Sequence, residues 1–120
     1  MQRFSFFSLS IITGMAVLTL GSSVRADIYD ATVICTVRGL TQGQLALRPR
    51  PNGSPFAGLN NGNIVQAWGG TLDRNGTIWE DVTVLEGPNA RVEGQRGYVN
   101  GDYLSCKWYD EDGNLIREEP

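Results

Sequence analysis

The 120-residue chain contains no histidine, has only two cysteines, and after residue 26 carries no long apolar run. Each shortage removes a class of function. Without histidine there is no Ser-His or Cys-His catalytic pair, and no His-bearing zinc set. Cys35 and Cys106 each lack the nearby second cysteine that a zinc knuckle or a Cys-X-X-Cys redox motif requires. No serine sits in a nucleophile-elbow context. Paired carboxylates such as Glu80 or Asp81 with Asp102 are the remaining catalytic option, and nothing in the sequence sets them across a cleft. The chain is therefore expected not to be an enzyme, and to need no cofactor or metal.

The N-terminus reads as an address. Arg3 supplies a positive start, residues 9–20 an apolar stretch, and Val24-Arg25-Ala26 small residues at a cleavage position. A membrane anchor needs about 18 to 20 apolar residues, whereas this run is shorter and is broken by Ser10, Thr13 and Thr19. Residues 1–26 are thus expected to be a signal peptide cut after Ala26, leaving a secreted or periplasmic protein with no membrane insertion. Cleavage takes away Arg3 and Arg25 and no acid, so eight basic side chains face thirteen acidic ones, a net charge of −5 against −3 for the whole chain. That balance repels phosphate backbones and anionic membrane surfaces, and nucleic acid is excluded as an expected partner.

In an oxidising compartment two cysteines pair most simply with each other. A Cys35–Cys106 bridge closes a loop of about 70 residues, which the chain-entropy model values at roughly 4 kcal/mol.

Strand signals dominate from residue 27 onward, and no long stretch has apolar residues at helical spacing. In residues 31–37, Ala31, Val33, Cys35 and Val37 fall on one face and Thr32, Ile34 and Thr36 on the other. Residues 49–55 hold three prolines and an Asn-Gly step, a loop signature. Residues 64–68 read as a short strand, 69–77 as a hairpin connection containing Gly-Gly and Asn-Gly, and 78–85 as the next strand. Within that strand Ile78, Val82 and Val84 share a face with Glu80, so Trp79 is expected on the opposite, outward face unless a bulge intervenes. A polar loop, a short core strand over residues 97–99 and a tight turn at residues 100–102 follow. Residues 107–120 form an acidic hairpin or tail around Asp110-Glu111-Asp112-Gly113-Asn114, whose glycine comes too early for a twelve-residue calcium loop.

Four stretches carry a family resemblance. LALR at residues 45–48, PNGSPFAGLNNGNIVQAW at 51–68, WEDVTV at 79–84 and GQRGYVNGDYLS at 94–105 resemble, in order and spacing, the signatures of bacterial SH3-like (SH3b) domains. Glu80 stands where many members carry an aromatic, and Ile78 where a glycine is usual. The resemblance implies an all-β fold, a small SH3-like barrel of about five strands over residues 27–106, here closed by one disulfide. It also implies a targeting or recognition module whose ligand is a cell-wall peptide or an envelope protein.

Large amphipathic rings supply affinity in peptide grooves, which makes Trp79, Tyr103, Tyr98 and Trp68 the candidate ligand-binding residues. Asp102 and Glu80 are candidates for a cationic group, and Arg48 and Arg50 for a carboxylate. A second reading is a structural or inhibitory subunit that docks through a strand edge or the C-terminal hairpin.

Overall fold

The computed structural model describes residues 30–120, so the expected signal peptide and its cleavage site lie outside the described residues. Among the described residues the fold is all β, with eight strands and one 3-10 turn. The strands are β1 (Thr32–Val37), β2 (Leu45–Leu47), β3 (Ala57–Leu59), β4 (Ile64–Leu72), β5 (Ile78–Glu86), β6 (Arg96–Asn100), β7 (Leu104–Tyr109) and β8 (Leu115–Glu119), and the 3-10 turn is Gly101–Tyr103.

Six strands form one antiparallel sheet in the order β6-β5-β4-β1-β7-β8, and β2-β3 form a separate hairpin. The alternation read in β1 holds: Cys35 and Val37 are buried while Thr32 and Thr36 are exposed. Register extends that inner face across the sheet. Val84 lies opposite Val65, Val65 opposite Cys35, and Cys35 opposite Cys106, giving one inward row over four strands. Leu45, Leu47 and Leu59 of the small hairpin are buried in the same cluster. Apolar rows from two layers thus close one interior, and removing that area from water is the main force holding them together.

Cys35 and Cys106 form the expected disulfide, with Cα atoms 4.0 Å apart and a sequence separation of 71. The bond joins residues directly opposite on β1 and β7, so it locks the start of the described fold to its last third.

The small hairpin meets the sheet at β6. Arg48 and Tyr98 exchange both backbone hydrogen bonds, at 2.9 and 2.7 Å. Gly97 makes this approach possible: a Cβ there would fall 2.7 Å from the Arg48 carbonyl oxygen and 3.0 Å from Leu47 Cδ1.

The sequence-based end of β4 is corrected. Gly69-Gly70 does not begin the connection; β4 runs to Leu72, and the turn is confined to residues 73–77. The glycines serve pairing instead. Gly69 takes part in an irregularity of the ladder, and Gly70 lies opposite Glu80, where a Cβ would come 2.9 Å from the Glu80 carboxylate. The C-terminal residues form a hairpin, β7-β8, whose turn is pinned by Asp110: its Oδ1 accepts from the backbone N–H groups of Asp112 and Asn114, both at 2.9 Å.

Candidate functional site

The outer face of β4, β5 and β6 collects three of the rings singled out from sequence. Between Ala67 and Gly69 the β4 ladder carries one residue more than β5, because Ala67 lies opposite Val82 and Gly69 opposite Asp81. The extra residue is Trp68. A bulge re-aims its side chain, and Trp68 is 53% exposed. Its indole Nε1 donates to Thr83 Oγ1 at 2.9 Å, which fixes the ring's orientation.

Arg96 of β6 lies over this ring, its guanidinium carbon 5.2 Å from the ring centroid. The same guanidinium is held from the side by Asp81, with Nε to Oδ1 and Nη2 to Oδ2 both at 3.0 Å. Two parallel bonds from a planar fork set position as well as charge. The Asp81 carboxylate accordingly raises the Arg96 pKa above its ordinary value. Tyr98 lies opposite Asp81 on one side and Arg48 on the other, half-buried between them.

Trp79 occupies the next outward position of β5, opposite Asn100. The alternation therefore placed it correctly, on the side away from Val82 and Val84, but its expected exposure is corrected. Trp79 is only 6% exposed. The Arg48 guanidinium covers the ring at 5.6 Å from its centroid and also donates through Nη1 to the Gly53 carbonyl at 2.7 Å. The Trp79 indole Nε1 donates to Asp73 Oδ2 at 2.9 Å. Asp73 Oδ1 accepts in turn from the backbone N–H groups of Asn75 and Thr77. Trp79 is thus the pin on which the proline-rich loop and the β4-β5 turn converge, and Arg48 is committed to holding it.

The remaining candidates are placed elsewhere. Tyr103, in the 3-10 turn, packs against the interior cluster, and Asp102 stands exposed beside it with its backbone N–H held by Asn100 Oδ1. Glu80 points to the inner side with Val99, away from the rings. Burial, reinforced by Asp81 and Glu119, raises its pKa. Arg50 is exposed. Among the described residues no group of three or more acidic or cysteine side chains converges as metal ligands.

Sequence reasoning overlooked Arg96, Thr83 and Asp73. Each acts through a partner brought to it by strand register or turn geometry, and only Asp73, an Asx residue two positions before an Asn-Gly step, carried a readable signal.

The outer face thus sets an oriented indole and a guanidinium beside a carboxylate. Comparisons with family models, with curated proteins and with solved structures find no match to this chain.

Proposed function

We propose that this protein is an exported, non-catalytic binding module of SH3b type that recognises a cell-envelope peptide or a protein partner through the outer face of β4, β5 and β6. The observation that carries the reading is Trp68: a large ring, half-exposed, oriented by Thr83 and flanked by Arg96 in its pairing with Asp81. A pre-oriented ring loses little entropy on binding, and Trp and Arg are the side chains that dominate interface energies.

The chain's layout supports the SH3-like part of the reading, since a strongly paired antiparallel sheet has its β6 edge met by the β2-β3 hairpin. The disulfide supports an oxidising compartment, and no helix among the described residues is long and apolar enough to cross a membrane. Of the four rings expected from sequence to bind, this reading puts the exposed Trp68 first and gives the buried Trp79 a structural role.

The test is a pull-down of the purified, oxidised protein with isolated peptidoglycan sacculi. Saturable binding that disappears in Trp68→Ala, while that variant keeps the parent's thermal unfolding curve, is the expected result. Binding unchanged in Trp68→Ala removes the proposed surface. No binding by the folded parent protein removes the wall peptide and leaves a protein partner to be sought by co-purification.

A further inference from the structure

The six-stranded sheet has two edges, and they are treated differently. At β6 the edge is met by β2 through the Arg48–Tyr98 bridge. At β8 no described residue pairs with the outer edge, and all five residues of the strand are exposed. An open strand edge presents backbone donors and acceptors to any extended chain that approaches it.

Charge decides which chain that is. Residues 107–120 hold two basic side chains, Lys107 and Arg117, and five acidic ones, whereas residues 30–106 hold six basic and seven acidic. Three of the four net negative charges of the described residues therefore sit on the β7-β8 hairpin. Arg117, the cation of β8, is already occupied: its guanidinium lies over Trp108 at 5.0 Å from the ring centroid and pairs with the Glu119 carboxylate. Glu118 projects to the other face of the strand, opposite Lys107. Leu115 and Ile116, about half exposed, supply apolar surface at the turn end of the same strand.

From the open edge and its charge we infer that β8 is a docking edge for an extended basic segment of a partner protein, added as a seventh strand. Lysine or arginine side chains of that segment would stand beside Glu118 or Glu119, and apolar ones beside Leu115 or Ile116 at the turn end of the strand. A second copy of this chain is the wrong occupant, because edge-to-edge pairing would bring together two hairpins of net charge −3 each. This edge is separate from the outer face of β4, β5 and β6, so it stands or falls independently of that surface.

The test uses the full oxidised protein and three synthetic peptides: one alternating lysine and valine, one alternating glutamate and valine, and the lysine peptide N-methylated at alternate residues. Fluorescence anisotropy reads binding, hydrogen–deuterium exchange reads the β8 amides, and sedimentation reads self-association. Expected are binding by the lysine peptide alone, slowed exchange at residues 115–119, and at least tenfold weaker binding in Glu118→Lys/Glu119→Lys. N-methylation, which keeps the charge but removes strand hydrogen bonds, should abolish the interaction. Equal binding of the methylated peptide, protection at another strand, no binding by the folded protein, or peptide-independent dimerisation through β8 would each overturn the inference. Circular dichroism of the double variant separates lost docking from lost folding.

Discussion

The indole nitrogen of Trp79 donates to one carboxylate oxygen of Asp73 at 2.9 Å, while the other oxygen of Asp73 holds the backbone of the β4-β5 turn. One acidic side chain thereby ties a buried ring to the hairpin that follows β4. Because Arg48 covers the same ring, the ring also fixes the end of β2.

Trp79→Ala is therefore expected to act on folding. Loss of a buried indole costs about 3 kcal/mol or more, a large fraction of the stability of a domain this small. Trp79→Phe keeps most of the apolar area but leaves Asp73 without its donor, and should fall between parent and Trp79→Ala in urea unfolding followed by circular dichroism. If Trp79→Ala unfolds at the parent's urea midpoint, the ring does not have this supporting role.

Two carboxylates should make stability respond to pH in opposite directions. Asp73 is held below its ordinary pKa chiefly by the Trp79 hydrogen bond, with Thr77 next. A depressed folded pKa gives stability that is present above the unfolded value and lost as pH falls through the folded one. Glu80 is raised by burial, then by Asp81 and Glu119, so its contribution is present below the unfolded value and lost as pH rises through the folded one. Glu80→Gln should raise the melting temperature at neutral pH, and the difference should vanish below about pH 4, where the parent carboxyl is protonated in both states. Asp73→Asn should lower the melting temperature at neutral pH, with the gap closing on acidification. Thermal unfolding across this range checks both signs.

What the sequence made legible is what depends on one strand at a time. Period-two alternation sorted Val33, Cys35 and Val37 from Thr32 and Thr36, and it placed Trp79 on the face of β5 turned away from Val82 and Val84. The pairing of Cys35 with Cys106 followed from there being no other cysteine. What stayed hidden depends on two strands or more. The cover over Trp79 comes from Asp73 in a turn and Arg48 at the end of another strand. The outward tilt of Trp68 comes from a mismatch of one residue between β4 and β5, and Gly69-Gly70, the local sign of it, has the composition of a turn. Arg96 and Asp81 meet because β5 and β6 pair in one register out of several the sequence permits.

Reduction of the disulfide should be felt globally. The bridge spans 71 residues, for which loop-closure entropy predicts a loss of roughly 4 kcal/mol when it is opened. Cys35→Ala/Cys106→Ala should shift the urea midpoint by a comparable amount, and the parent with added dithiothreitol should follow it. Because Cys35 is wholly buried, the double variant also loses a little packing, so its midpoint should lie at or below that of the reduced parent. A midpoint unchanged by reduction would mean that strand pairing between β1 and β7 alone holds the two ends.

Gly97 offers the sharpest test of how the small hairpin is attached. Its position on β6 lies opposite Val82, and a methyl group there would meet backbone on the β2 side, 2.7 Å from the Arg48 carbonyl oxygen. Backbone cannot rotate away as a flexible side chain can, so Gly97→Ala must push β2 off β6 or shift β6 within the sheet. Overpacking of this kind costs about 1 to 3 kcal/mol. If β2 yields, the Arg48–Tyr98 hydrogen bonds lengthen, the cover over Trp79 opens, and tryptophan fluorescence moves toward the red together with a lower melting temperature. If β6 yields instead, the Arg96–Asp81 pairing shifts, and the binding proposed for the Trp68 surface falls while the Trp79 emission stays put. Gly94→Ala is the control, since nothing lies within 4 Å of a Cβ at that position: its positive φ of 87° makes the substitution strained as well, but that strain lies in the loop before β6, so a melting loss without either spectroscopic or binding signature is expected there.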